Sequence, residues 1–383
     1  MNESVSSKGL CKPGFESVRG AFEGNFAAGN ERGASVAMTV DGEPVVDLWA
    51  GRTNDAGNPW SEDTIVNVYS STKTMASLCV LMVADRGLID LTAPVAEYWP
   101  EFGRNGKERV LVSHVMSHSA GVPGFDPPLT TVDLYDWQRV CDNLAAQRPW
   151  WEPGTAFGYH ALTQGYLQGE LVRRVDGRTL GRFFAEEVAG PLGADFHIGL
   201  DPQHDERVAD LVPPASSIAA EFADAPPGSL GHRMVVGTPP LDGTEPRTRE
   251  WRAAEIPAAG GIGNARSMAR VHSAMACGGE IDGVRLLSED TLVRATEIQF
   301  EGTDVLMNTP ARFGMGFGLP SELIPFPNPR TLFWGGWGGS LCVIDLDARM
   351  SFAYAMNRMD SLIMGDLRAV NLVIGAFTAL AAG

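Results

Sequence analysis

The sequence predicts an α/β fold of the α+β kind, with one sheet built from both ends of the chain and a mainly helical insertion between them. Three observations predict it. Strand-like runs rich in β-branched and aromatic residues fall before residue 70 and return after residue 312. Helical spacing separated by Pro- and Gly-containing loops fills the stretch between. Two apolar runs flanking Asp41-Gly42 read as a hairpin closed by a two-residue turn.

In chain order, Pro13 to Asn30 has Phe15, Val18, Phe22 and Phe26 on one side, which predicts a helix stopped at Gly29-Asn30. Val36–Val40 and Pro44–Trp49 form the hairpin. Thr64–Tyr69 reads as a short buried strand, and Thr74–Val83 as a helix apolar on nearly every side. Gly87 supplies its left-handed stop. Tyr135–Gln147 and Ala161–Val175 are the clearest helices of the insertion. Residues 213–257, rich in Pro, Gly and Asp, read as a long loop that caps a pocket. Asn264 and Ser267 precede a helix running through Met275. Phe313–Leu319, Leu332–Leu346 and Met350–Asn357 follow as strands, the last two a hairpin turning at Asp347-Ala348. A helix over Leu362–Leu380 comes last. The expected division is residues 1–90 with 260–383 as the sheet part and 91–259 as the helical part, with the active site between them.

Composition narrows the function. The 383 residues carry a formal net charge of −17, which repels nucleic acid and anionic membranes as partners. Cysteines 11, 79, 141, 277 and 342 are odd in number and show neither disulfide nor metal-ligand spacing. Free thiols, no metal, no cofactor and a cytoplasmic location are therefore expected. Met1–Ala21 lacks the apolar core of a signal peptide, and no apolar run is long enough to span a bilayer. A homo-oligomer is left open.

The chemistry begins at Ser70-Ser71-Thr72-Lys73. The chain has four lysines, and Lys73 alone sits where a buried strand runs into a buried helix. Residues three apart on a helix share a face, so the Lys73 amine can reach the Ser70 hydroxyl. Burial lowers a lysine pKa and makes it a base near neutrality, which a weakly nucleophilic serine requires. The helix start also aims free backbone N–H groups at any negative charge that forms there. Ser70 is equally suited to be a helix cap.

Two further segments bear on this choice. Tyr159, in Phe157-Gly158-Tyr159-His160-Ala161, sits ahead of a helix, where its ring can pack or its hydroxyl can face a cleft. In Phe333-Trp334-Gly335-Gly336-Trp337-Gly338-Gly339-Ser340, four glycines mark either a tight crossing against a helix or close approach of a ligand.

Taken in this order, the three segments resemble the serine β-lactamase and penicillin-binding-protein superfamily, and within it the family VIII carboxylesterases. Ser70-Ser71-Thr72-Lys73 matches the Ser-x-x-Lys element. Tyr159-His160-Ala161 is similar to Tyr-x-Asn, with alanine in place of asparagine. Trp334-Gly335-Gly336 stands where β-lactamases carry Lys-Thr-Gly. The likeness runs from about residue 30 to the C-terminus. It implies a β-lactamase-like central antiparallel sheet flanked by helices, and a small-molecule ester as substrate. Without the lysine and the asparagine, recognition of a β-lactam is weakened, so β-lactam hydrolysis ranks as a side activity at most. A D-alanyl carboxypeptidase-like hydrolase, an acyltransferase and a non-catalytic binding protein are the alternatives.

The resemblance implies Ser70 as nucleophile, Lys73 and Tyr159 as a coupled base, and the backbone N–H groups of Ser70 and Trp337 as the oxyanion hole. A nearby Lys73 is expected to lower the Tyr159 pKa. Trp334, Gly335, Gly336, His160, Phe125, Tyr135 and Trp151 are the substrate-binding candidates. His114 and His118 fall in a turn beside the site. No Gly-x-Ser-x-Gly elbow is present, which disfavours an α/β-hydrolase.

Overall fold

The computed structural model describes residues 5–216, 225–362 and 365–382. Its largest sheet has six antiparallel strands: β1 (Lys8–Cys11), β2 (Gly33–Val40), β3 (Glu43–Gly51), β11 (Thr331–Gly335), β12 (Leu341–Asp345) and β13 (Met350–Met356), in the order β1-β3-β2-β13-β12-β11. Both ends of the chain therefore build one sheet, joined where β13 pairs with β2. Asp41 and Gly42 close the β2–β3 hairpin with φ of 48° and 84°, the two left-handed residues that a tight hairpin turn needs.

Residues of both parities are buried along β2 and β13, so both faces of the sheet are covered. The helix Ala265–Ala276 packs on β2, β12 and β13, while helix α1 (Glu16–Ala27) packs against the last helix, Leu367–Ala382. Asn264 caps the first of these helices by accepting the Ser267 N–H. A second sheet, β4 (Val66–Asn67), β6 (Gly261–Gly263) and β5 (Phe196–Ile198), ties the nucleophile segment to the insertion and to the return strand. Short hairpins are made by β7 (Glu280–Ile281) with β8 (Val284–Arg285), and by β9 (Phe300–Thr303) with β10 (Pro310–Phe313).

Helix α2 (Thr72–Asp85) is buried from Thr72 to Val83 and ends at Gly87, whose φ of 72° allows Leu88 N–H to reach the Val83 carbonyl at 2.9 Å. It packs on α5 (Thr163–Asp176) and close to α6 (Leu180–Phe184), with α3 (Val112–Met116) and α4 (Trp137–Ala146) also set against α5. Among the described residues, no helix is long and apolar enough to cross a membrane.

Three expectations need correction. Leu332–Leu346 is two strands, because residues 336–340 form the turn between β11 and β12. Phe313–Leu319 is not a strand: β10 ends at Phe313, and the chain folds back so that Gly318 bridges both Phe313 and Phe333. The stretch 213–257 contains helices Leu230–Gly237 and Arg249–Ala253, capped by Ser229 and Thr248, where sequence composition suggested only loop. Residues 217–224 of that stretch and 363–364 lie outside the described residues, and the last helix, expected from Leu362, begins at Leu367.

Candidate active site

β4 delivers the chain to Ser70 through an unusual backbone. Tyr69 has a φ of 42°, a conformation a bulky residue adopts only when its surroundings hold it. Its ring lies edge-on to Trp337 at 5.0 Å, near Trp251 at 6.1 Å, and its hydroxyl donates to Glu245 Oε2 at 3.3 Å. The result is a single 3-10 turn, Tyr69–Ser71, that leads into α2. Ser70 does not cap this helix. Its Oγ is engaged with Tyr159 Oη at 2.6 Å and with Lys73 Nζ at 3.2 Å.

Lys73 is 1 % exposed, and burial alone drives its pKa well below the ordinary lysine value. Its Nζ donates to the carbonyls of Ala161 at 2.7 Å and Ala258 at 3.0 Å, and lies 3.0 Å from Tyr159 Oη. A neutral amine has two hydrogens and one lone pair. Two fixed carbonyls take the hydrogens, which leaves the lone pair facing the two hydroxyls. The geometry thus orients the amine as a base toward Ser70 and Tyr159.

Tyr159 is 6 % exposed. Burial raises its pKa above the ordinary phenol range, Asp304 adds to the rise, and the Ser70 hydrogen bond opposes it. The lowering expected from Lys73 is not seen, because burial disfavours the charged form of both groups. The loop around Tyr159 is held by three consecutive amides. Gly158 N–H donates to the His118 carbonyl at 3.1 Å, Tyr159 N–H to Asp304 Oδ2 at 3.0 Å, and His160 N–H to His118 Nδ1 at 3.1 Å.

The turn after β11 lies against the same backbone. Ser340 Oγ donates to the Val68 carbonyl at 2.8 Å and meets Ser71 Oγ at 2.9 Å. A Cβ on Gly336 would overlap the Val68 carbonyl oxygen, so this approach requires glycine. Gly336 and Gly338 N–H groups are bonded to Ser340 and Leu362 carbonyls. Among the described residues, no acceptor takes the Trp337 or Ser70 N–H, and both residues border the same cavity.

A cavity of about 440 Å³ opens over Ser70, bordered by Tyr69, Tyr159, Ala161 and Trp337. Its outer wall is Pro128-Leu129 together with Met234–Val236 and Thr238–Leu241, from the capping stretch. Among the described residues, no Asp, Glu, Lys or Arg lines it. A second cavity of about 310 Å³ lies on the far side of Tyr159 and Met307, bordered by Trp334, Phe157 and Phe313.

Ser70, Lys73, Tyr159 and Trp337 therefore converge, while none of the seven substrate-binding candidates lines the cavity over Ser70. His160 has both nitrogens committed, Nε2 accepting from Val122 N–H at 3.1 Å and Nδ1 donating to the Gly158 carbonyl at 2.6 Å. Burial lowers its pKa to about 3, so it braces the loop as a neutral ring. Phe125 is buried in the core and supports the cap through its N–H to the Gly237 carbonyl at 2.7 Å. Trp151 stands behind, edge-on to His160 at 5.9 Å, and Tyr135 packs half-buried at the start of α4. Trp334 borders the second cavity, with its ring 5.5 Å from that of Tyr159. Gly335 and Gly336 shape the turn and do not line the cavity over Ser70.

Sequence reasoning missed the two alanine carbonyls and Asp304; His118 was placed in a turn beside the site, and there it braces the Tyr159 loop. Backbone carbonyls carry no side-chain signature, and Asp304 lies in a segment without a motif.

The beta-lactamase family profile matches residues 18–373. The chain is 38 % identical to the esterase/beta-lactamase LipL of Mycobacterium tuberculosis, over 94 % of this chain and 85 % of that protein. It is similar to the crystal structure of a family VIII carboxylesterase, at 42 % identity and a TM-score of 0.91, covering 97 % and 99 % of the two chains. It is also similar to a penicillin-binding-protein homologue from Caulobacter crescentus, at 36 % identity and a TM-score of 0.88, over 97 % and 99 %. With the Ser-x-x-Lys turn, the tyrosine loop and the glycine-rich turn brought together on this fold, the chain belongs to the beta-lactamase family, in the branch of the family VIII carboxylesterases.

Proposed function

We propose that this chain is a serine carboxylesterase that hydrolyses short- to medium-chain carboxylic esters through an acyl-enzyme on Ser70. One observation carries this reading: a serine hydroxyl, a lysine amine and a phenol lie within hydrogen-bond reach of one another beneath a mainly apolar cavity that no charged side chain lines among the described residues. An uncharged ester enters such a cavity without leaving a buried charge unpaired, whereas a carboxylate-bearing β-lactam finds no cation among the described residues of its walls.

Ser70 Oγ attacks the ester carbonyl carbon as its proton passes to the Lys73 lone pair, directly or through Tyr159. The Ser70 and Trp337 amides receive the carbonyl oxygen as it becomes an oxyanion. The carbonyl re-forms, the C–O bond to the alcohol breaks, and Tyr159 donates its proton to the departing oxygen while Lys73 re-protonates the phenol. Water then attacks the acyl carbon and gives a proton to the same pair; the bond from that carbon to Ser70 Oγ breaks, the pair returns the proton to Oγ, and the acid leaves.

The active site is proposed to lie between the sheet part (1–90 with 260–383) and the helical part (91–259). The cytoplasmic placement expected from the scattered cysteines belongs to the same proposal. A panel of p-nitrophenyl esters from acetate to palmitate, run beside nitrocefin, tests the substrate class. Turnover is expected to be highest for acetate to octanoate and far lower for nitrocefin. Nitrocefin turnover well above that of every ester would replace the esterase with a β-lactamase.

A further inference from the structure

We propose that Asp304 is a positioning residue for this reaction, fixing Tyr159 so that its phenol oxygen rests between the Ser70 hydroxyl and the Lys73 amine. The proposal rests on the assignment of Ser70, Lys73 and Tyr159 as the reacting groups. Asp304 is 3 % exposed and, among the described residues, forms no ion pair with a cation. A carboxylate buried in that way is costly unless donors replace water. Three backbone amides do so: Leu306 at 2.7 Å and Met307 at 2.9 Å on Oδ1, and Tyr159 at 3.0 Å on Oδ2.

Two of these bonds are local and would build a turn wherever it stood. The third spans 145 positions and ends on the residue that carries the phenol. It is reinforced on the backbone, where Val305 N–H donates to the Phe157 carbonyl at 2.9 Å. The flanking amides of Gly158 and His160 are taken by His118, so Asp304 holds the middle of a three-point clamp. A loop so fixed cannot drift, and catalysis is sensitive to drift: misplacing a reacting group by about 1 Å costs about 10²-fold.

The charge has a second effect. The titratable groups that face the Tyr159 ring and hydroxyl are Lys73 from α2, His118 and His160 from the adjoining loops, and Asp304. Burial lowers the pKa of both histidines and raises that of Asp304, whose charged form the three amides favour in return. A negative charge behind the ring disfavours phenolate. Tyr159 then rests as a phenol ready to protonate the leaving alcohol, and the first proton from Ser70 goes to Lys73.

Asp304→Asn tests this, because asparagine keeps the size and one acceptor oxygen but turns an NH2 group toward the Tyr159 amide. With p-nitrophenyl butyrate, kcat is expected to fall about 10- to 100-fold while KM stays within about threefold. The decisive readout is a double-mutant cycle. In a Tyr159→Phe background, adding Asp304→Asn is expected to change kcat by less than about twofold, since the phenol it positions is already gone. The same loss in both backgrounds, or no loss in the single variant, overturns the proposal. If Asp304→Asn shows no thermal transition, Asp304→Glu enters the same cycle with the same outcomes. Should the wild-type protein turn over no ester, the substrate reading fails, and the cycle is read on the rate at which a fluorophosphonate labels Ser70. That keeps the two failures apart.

Discussion

The Tyr159 hydroxyl lies 2.6 Å from the Ser70 hydroxyl, although 89 positions separate the two residues in the chain. Nothing local brings them together; α2 and the clamped loop ahead of α5 do. If the phenol relays protons, Tyr159→Phe should lower kcat by about 10²-fold or more with little change in KM. Steady-state kinetics on p-nitrophenyl butyrate, with the thermal midpoint recorded alongside, check this. An unchanged kcat removes the phenol from the reaction.

Lys73 sets the acid limb of the pH profile. Burial lowers its pKa well below the ordinary lysine value, which shifts the balance toward the neutral base. As pH falls through that lowered value the amine is protonated, loses its lone pair and cannot accept the Ser70 proton. kcat/KM should therefore fall on the acid side and rise toward a plateau. Lys73→Arg, which cannot deprotonate, should lose about 10³-fold or more and regain nothing up to pH 10.

Gly336 has no room for a side chain against the Val68 carbonyl. Gly336→Ala should push the Gly336–Ser340 turn, and with it the Trp337 amide, away from Ser70. The expected result is a loss in kcat of about 10²-fold, the usual cost of losing one oxyanion donor. A fluorophosphonate should still label Ser70, but more slowly. Wild-type kcat in this variant would remove Trp337 from the oxyanion hole.

The cap is expected to limit the length of acyl chain the cavity takes. Met234 lies on the outer wall of the cavity and is nearly buried. Met234→Trp should fill that space, raising KM for p-nitrophenyl octanoate about tenfold or more, while p-nitrophenyl acetate changes by less than about threefold. Equal effects on both esters would move the acyl group elsewhere.

What could be read from sequence follows from how each feature is encoded. Ser70 and Lys73 were legible because one turn of helix fixes their relation, and a scarce lysine in an apolar helix is conspicuous. Tyr159 was legible only through the order of three motifs, since a tyrosine before a helix has no signature of its own. The Asp41-Gly42 hairpin and the stop at Gly87 were read from turn chemistry, and the backbone has the left-handed φ values there. The turn at 336–340 was hidden, because its glycines and Trp337 continue the apolar character of the strands on either side. The capping helix Leu230–Gly237 was hidden for the opposite reason: the prolines and glycines around it dilute its short apolar run. Asp304 and the Ala161 and Ala258 carbonyls act through the backbone, and no side-chain pattern announces that.

The most direct test of the central claim is peptide mapping by mass spectrometry after a short exposure to a fluorophosphonate probe, with p-nitrophenyl butyrate turnover measured in parallel on Ser70→Ala. The adduct should fall on Ser70 alone in the native protein, and the variant should neither label nor hydrolyse the ester above background. An adduct on another residue, or ester turnover that survives the substitution, would contradict the account.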